Sequence, residues 1–522
     1  MPRLPEFPNF DHLREQAKDL LRSYRNHDSA AIARFRDFLP AAAGKDDAAL
    51  AAMQLKLHDA QTVIAREYGL PTWANLKNHV DWRNSKRSQA REDAVPLWLH
   101  AVYGHDNDRP RPELAARMLA DRPDLGQGDL FLACAVGDEA AVRLAIAADP
   151  SCVHRIGNPW RCPGCKKPLA MPPLVAVTHS TLGRLPEFRD RLHRCARLLL
   201  DAGADPNQSH KEGEYSLSAL FGAAGKNHDP ELTRLLIEAG ASPNDGESLY
   251  HSTETPDLTC TRLLLEAGAR VEGSNALHHM LDREDIEGLR LLLAYTKDPD
   301  DSTSGIGRTL IWAIRRGRSR AHFEALLAAG ANPQGGYRLA LQHGLTDAAE
   351  LLAKAGAAES LTLEEQFVAA CARADEDEAR RMLARNPNLI QALSEAQLRQ
   401  LPNLTEAGNH DAVRLMVRLG WPIATPGGDW KATALNLAVY QGNAELTRFL
   451  LEHGASWTER HGFDGDVNGT LSWASRNHDP EAGDWVGCAE ALVAHGMPVP
   501  EGAHSGYSEP VTEFFKARVQ GQ

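Results

Sequence analysis

The decapeptide LLLDAGADPN at residues 198–207 recurs, in degraded form, down most of this chain. It returns as LLIEAGASPN from Leu235, LLLEAGARVE from Leu263, LLLAYTKDPD from Leu291 and LLAAGANPQ from Leu326. Further copies are LLAKAGAAES from Leu351, LLEHGASWTE from Leu450 and LVAHGMPVPE from Leu492. A shorter helical phrase stands upstream, as in Asn275-Ala-Leu-His and Thr433-Ala-Leu-Asn. Two phrases in fixed order define a unit of two helices. The Leu-rich helix of one unit has an apolar face that the unit cannot cover alone, so neighbouring copies must stack. In the unit around Thr433, the hydroxyl is placed to accept a backbone N–H at the start of the first helix. Gly454 ends the second helix, because glycine enters the left-handed region without strain. Ala455 is small enough to let adjacent units approach.

These phrases resemble the ankyrin repeat, whose TPLH…A and LLL-x-x-GA-D-x-N phrases return at a period of about 33 residues. The resemblance implies an all-α ankyrin-repeat solenoid of helix-turn-helix units with short hairpin loops, roughly eleven helix pairs in all. Residues 1–82 lack the repeat and read as an N-terminal helical bundle. There, DHLREQAKDLLRSY sets Leu13, Ala17, Leu20 and Leu21 at helical spacing. Helices are expected over 30–39 and 57–68, and Thr72 is placed to cap a fourth that carries Trp73, Leu76 and Val80. Residues 83–94 are the expected linker. The repeat array is assigned to 95–360, with a Cys-containing insertion at 151–194. Divergent units fill 361–425, and the C-terminal units and cap fill 426–522. The phrases LHDAQTVIAREYGLPTWANLK at 57–77 and GDWKATALNLAVYQGNAELTRFLLEHGASWTERHGF at 428–463 resemble an arrangement found in bacterial cytoplasmic ankyrin-repeat proteins with an N-terminal helical segment. That resemblance implies an architecture and a setting but no chemistry.

The formal net charge of −13 argues against broad nucleic-acid binding and against an anionic membrane surface. The N-terminus has no apolar signal segment, and no run approaches the ~18 apolar residues of a membrane helix. Eight thinly spread cysteines fit a cytoplasmic chain with reduced thiols. A monomer is expected.

No phosphate-binding loop, HExxH or GxSxG elbow occurs, so no catalytic motif is recognised. Asn-His-Asp appears four times, from Asn26, Asn227, Asn409 and Asn477. A His beside an Asp can act as a general base. Turn chemistry explains the triplet better, with Asn or His in the turn and Asp capping the next helix. His278, at the last position of its TPLH-like phrase, is expected to hydrogen-bond between neighbouring loops.

By the ankyrin resemblance, the two residues after each TPLHLAA-like phrase face the concave surface. They are Gly225 and Lys226, Asp282 and Arg283, Arg315 and Arg316, Gln342 and His343, Tyr440 and Gln441, and Arg476 and Asn477. Five of these are basic and one is acidic, a ladder suited to an anionic partner unless the arginines are merely solvated turns. Tryptophans concentrate at 421, 430, 457, 473 and 485, around the loop carrying His461, Asp464 and Asp466. Trp473, inside a helix, is expected to pack the cap; Trp430, at a hairpin tip, is the better contact residue. Cys162-Pro-Gly-Cys165 resembles a zinc knuckle, and Cys152 with His154 would complete four ligands, with His179 and Cys195 in reserve. Two free thiols or an oxidisable pair are the competing readings, and no cofactor beyond that structural zinc is expected.

The leading expectation is a scaffold that holds an acidic protein or peptide on its concave face. Lys226, Arg283, Arg315, Arg316 and Arg476 would supply charge, with Trp430, Tyr440, His461, Asp464 and Asp466 beside them. The alternative is an enzyme or small-molecule binder in the long loops of the last two repeats.

Overall fold

A computed structural model describes the chain except residues 1–3, 6–7, 43, 47–48, 51–52, 54, 71, 74, 78, 81–90, 105–109, 158–159, 162–168, 214, 301–306, 429, 479–481, 501–505 and 521–522. It contains two compact units, Met1–Arg270 and Val271–Gln522. The division falls inside the array expected over 95–360.

In the first unit, amphipathic spacing produces the N-terminal bundle. Helices Phe10–Arg25, Ser29–Phe38 and Leu57–Glu67 bury Leu13, Ala17, Leu20, Tyr24, Ile32, Phe35 and Ile64 in one cluster. Trp73, Leu76 and Val80 join it, and the Thr72 hydroxyl accepts the Asn75 N–H at 3.2 Å. Five helix pairs follow. They are Arg91–Tyr103 with Pro112–Asp121, Leu130–Val136 with Glu139–Ala148, and Pro173–His179 with Pro186–Asp201. The last two pair the turn Phe221–Lys226 with Pro230–Glu238, and Ser248–Ser252 with Thr259–Glu266. The first helix begins at Arg91, inside the expected linker. A small hairpin, Ser209–Glu212 with Tyr215–Ser218, projects between pairs.

The second unit holds seven pairs among its described residues. They begin with Ala276–Met280 and Ile286–Leu293, Thr309–Arg315 and Arg320–Ala328, and Gly336–Gln342 and Thr346–Leu352. Next come Leu363–Ala372 and Glu376–Arg385, and Gln400–Glu406 and His410–Arg418. Ala434–Tyr440 with Ala444–Glu452 and Val467–Asn477 with Trp485–Ala494 complete the set, before the terminal helix Glu509–Gln520. Twelve pairs thus stand against the roughly eleven expected from the repeat. The architecture is all-α, and in most successive pairs the first helix stacks on the next first helix and the second on the next second.

Each unit is closed by chemistry visible in its letters. Side chains of Asp138, Asp229, Asp285, Asp375, Asn443 and Asp484 cap the second helices. The Asn-His-Asp triplets follow this rule with one change of register. Asp28 and Asp229 cap as expected, after His27 and His228 at positive φ. At the third copy the cap is Asn409 rather than Asp411, because the helix starts one residue after the asparagine. The fourth copy ends in residue 479, outside the described residues. Thr433 caps its helix, and the His278 Nε2 pairs with the Gly307 carbonyl at 2.7 Å, as a bond between loops requires.

The asparagine that ends the repeated decapeptide ties one copy to the next. Asn207 donates to the Gly240 carbonyl at 3.2 Å and accepts the Ser242 N–H at 2.8 Å. Asn244 repeats the pattern with Gly268 and Arg270 at 3.1 and 2.8 Å. Gln334, in the same position, donates to the Gly356 carbonyl at 3.4 Å. Each bond closes the turn that follows a Leu-rich helix against its successor.

Two glycines of successive pairs show different constraints. Gly330 has φ +95° and open space where a Cβ would stand, so it needs only the left-handed backbone. Gly344 has φ +74°, and a Cβ there would lie 2.3 Å from the Ala372 carbonyl oxygen of the next pair. Replacing Gly330 by Ala should cost ~1–2 kcal/mol of backbone strain. Gly344→Ala adds steric overlap and should cost ~2–5 kcal/mol. Urea denaturation of the two variants checks this; equal midpoints would mean that the close approach is absent.

Candidate functional site

In the second unit the first helices form a row broken into two runs, Thr309–Arg315 to Leu363–Ala372 and Gln400–Glu406 to Val467–Asn477; at the join Leu363–Ala372 packs on the second helix His410–Arg418. Two features stand along it. One is a cleft of about 750 Å³, with Arg315, Arg316, Gln342, His343, Glu364 and Gln400 on its walls. The other is a string of aromatic side chains in the last two pairs.

The cleft walls are fixed by internal pairs. Arg316 lies 2.9 Å from Asp282 and 3.1 Å from Glu406, with its guanidinium 4.1 Å over the Trp312 ring. Glu406 is held from the other side by the hairpin turn at Gly428, where a Cβ would meet its carboxylate at 2.7 Å. Asn403 accepts the Gly428 N–H at 3.0 Å. Glu365 pairs with Arg338 at 2.8 Å and completes a capping box with Thr362. Arg399 pairs only with the exposed Glu395 one turn away.

Other wall groups have no such commitment. Arg315 is exposed and makes no ion pair among the described residues. His343 and Gln400 are each 4 % exposed, yet His343 Nδ1 and Gln400 Oε1 have no hydrogen-bond partner among the described residues. An unsatisfied buried polar atom costs ~1–3 kcal/mol, so two on one wall call for an explanation. Burial, and then the Arg315 charge, pull the His343 imidazole down to about 4, so it is neutral at pH 7.

The aromatic string runs Phe463, His461, Trp430, Tyr440, Trp473 and His478. Trp430 lies 5.1 Å from His461 and 5.2 Å from Tyr440 between ring centroids. Tyr440 stacks on Trp473 at 5.8 Å with 12° between planes, and His478 closes on Tyr440 at 4.7 Å. Phe463 is 80 % exposed and Trp473 46 % exposed. Trp473 therefore does not pack the cap; its helix turns it outward onto Tyr440. Trp421 and Trp485 are the core tryptophans, donating to the Leu398 and Val439 carbonyls at 3.0 and 3.1 Å.

The structure thins out the basic ladder. Lys226 belongs to the first unit, where its ammonium donates to the Tyr103 carbonyl at 2.7 Å and burial pulls it down to about 8. Arg283 lies 3.8 Å from Asp285, and Arg316 is neutralised by two carboxylates. Only Arg315 and Arg476 remain exposed without an ion pair among the described residues. The loop acids have structural tasks. Asp464 pairs with Arg460 at 3.0 Å, Asp466 caps helix Val467–Asn477, and Asp484 caps Trp485–Ala494. His461 Nδ1 accepts the Phe463 N–H at 3.2 Å. These contacts make a rigid loop rather than a nucleophile–base pair.

For the metal ligands, Cys162 and Cys165 lie outside the described residues. Cys152 is buried, which pushes its thiol up, whereas His154 is exposed. The reserve residues serve the core: His179 Nε2 pairs with the Ser218 carbonyl at 2.8 Å, and Cys195 is fully buried. No helix among the described residues is long and apolar enough to cross a membrane. The sequence alone pointed to Arg315, Arg316, Gln342 and His343 on the concave side. It missed the cleft's other wall, Ser394 to Glu406, because the units over 361–425 depart from the repeat phrase.

The family model described as "Ankyrin repeat" matches residues 430–461. The human ASB11 ankyrin repeat domain is similar at 20% identity, over 42% of this chain and 98% of that one, with a TM-score of 0.20. The ankyrin repeat domain of Bcl-3, a member of the IkappaB protein family, is similar at 17% identity, over 47% and 99%, with a TM-score of 0.21. No curated protein matches the chain.

His343 yields a pH test. A histidine in the unfolded chain titrates near pH 6.5, and His343 in the fold near 4. Between these values the unfolded state binds a proton that the native state does not. Stability is therefore full above about 6.5 and falls as pH drops toward about 4, by about 2 kcal/mol from pH 7 to pH 5. Thermal melts should show wild type losing more than His343→Gln across that interval. Equal losses would mean that His343 titrates normally.

Proposed function

We propose that this chain is a protein-interaction scaffold that grips an extended segment of a partner along the first-helix row of its second unit. The aromatic string carries this reading: Tyr440 and Trp473 stack with Trp473 46 % exposed, and Phe463 stands 80 % exposed beyond them. Aromatic side chains rich in contact area and poor in rotamer freedom are the usual anchors of such interfaces. The partner segment lays apolar side chains on this string and carries an acidic residue for Arg476. The acidity is a local feature facing Arg476; Lys226, Arg283 and Arg316 are committed to internal partners, and Arg315 lies at the cleft. The repeat at 430–461 supports the reading, because solenoids present extended surfaces for binding. The setting is a reducing cytoplasm in a bacterial cell, with a monomeric chain; the six described cysteines are buried and free.

The test is affinity capture and titration of the captured partner. Tyr440→Ala and Trp473→Ala should each weaken binding by about thirtyfold, equivalent to ~2 kcal/mol. Arg476→Glu should slow association, with the effect fading at high salt. Arg380→Glu, on an exposed second helix, should change nothing. If the double aromatic variant binds the partner as wild type does, the surface is elsewhere.

A further inference from the structure

We propose that the cleft beside Arg315 is a binding site for a small zwitterion, an amino acid or short unblocked peptide. The site uses side chains distinct from the aromatic string and does not depend on the partner reading.

The volume comes first. About 750 Å³ lies within the 300–1,000 Å³ typical of small-molecule sites. The lining is polar and carries both signs of charge, which suits a charged metabolite rather than a lipid. Most of these groups are spent on the walls. Arg316 is taken by Asp282 and Glu406, and Glu365 by Arg338. Asn403 holds Gly428, and Gln397 holds Ser394. What remains is one cation, Arg315, and one anion, Glu364, neither with an ion pair among the described residues, with the Glu364 carboxylate taking a side-chain hydrogen bond from Thr362. A carboxylate satisfies Arg315, whose planar fork matches it in bidentate fashion. An ammonium satisfies Glu364. Arg399 can be drawn in, since an exposed pair such as its contact with Glu395 is worth little.

The second observation is independent. Gln400 Oε1 and His343 Nδ1 lack partners among the described residues, in side chains 4 % exposed that line this cleft. Natural interiors satisfy such groups, and polar sites leave them for what they bind. Gln400 Oε1 is closed off from solvent, and it becomes an acceptor for a ligand N–H when its side chain turns into the cleft. The neutral imidazole of His343 places no second positive charge beside Arg315, so a single carboxylate balances the cation. Walls held by internal pairs leave the exposed Arg315 at a fixed place, as a preorganised receptor does.

The experiment uses the full chain. The twenty proteinogenic amino acids and a set of unblocked dipeptides are screened by thermal shift at about 10 mM, and hits are titrated by calorimetry. At least one probe should bind. Its N-acetylated and C-amidated forms, and the variants Arg315→Ala and Glu364→Gln, should each weaken binding tenfold or more. Both substitutions fall on side chains outside the core, and circular dichroism checks the fold. Tyr440→Ala with Trp473→Ala should leave the small ligand bound, which separates this site from the partner surface. The proposal is overturned if no probe binds, if capping either end has no effect, or if Arg315→Ala and Glu364→Gln bind as wild type does.

Discussion

The structure depends on one constraint: a helix pair of this kind has no core of its own. Leu199, Leu236 and Leu264 lie on successive second helices and are fully buried only because each helix meets the next. Stacking in turn demands that backbones approach closely at the turns. Gly344 sits where a Cβ would strike the Ala372 carbonyl, and Gly442 where it would stand 2.7 Å from Gly483 Cα. Side-chain amides then cross the same gaps. Asn409 donates to the Ala372 carbonyl at 2.8 Å, Asn227 to the Thr178 carbonyl at 2.8 Å, and Gln441 to the Thr405 carbonyl at 3.0 Å. Burial supplies the driving force, and these directional bonds fix the register between neighbours.

Register is what makes a site out of separate units. Arg316 and Glu406 are 90 residues apart, yet their pair joins two first helices that frame one cleft. Their meeting requires that the two intervening pairs, starting at Gly336 and Leu363, hold fixed angles to their neighbours. The same precision sets Tyr440 on Trp473 at 12° between ring planes, one repeat to the next. The last two pairs contribute one layer of that surface each.

Much of the fold was legible because its signals are local. Caps, left-handed glycines and helix periodicity act within a few residues, so Thr433, Gly454 and the bundle residues Leu13 to Tyr24 could be placed from letters alone. The site was legible only in part, because its decisive facts are pairings at long range. The row position of Arg283, Arg315 and Arg316 could be read, but not which of them was neutralised. Asp282 and Glu406 decide that for Arg316, and Asp285 for Arg283. Trp473 was misplaced for a related reason. Its helix is amphipathic, and the residues that fill the core are Val467, Leu471 and Ala474, which leaves position 473 facing outward. The asparagine ending LLLDAGADPN was visible and recurs as Asn244, but its two bonds reach the following copy and leave no local trace.

The distribution of charge bears on what kind of recognition the second unit can perform. A chain of net charge −13 gains long-range attraction for an anionic partner only from cations that its own carboxylates do not cancel. Along this row Arg283 and Arg316 are cancelled at contact distance, so their field beyond a Debye length of about 8 Å is small. Arg315 and Arg476 are left as point contacts, too few to steer a large acidic surface. Selectivity must then come from short-range terms: flat, partly desolvated aromatic faces at Tyr440 and Trp473, and the polar cleft, whose wall groups want specific partners. Those terms fall off within a few ångströms and reward shape. A partner would be chosen by fit to the row, with charge only setting the ends.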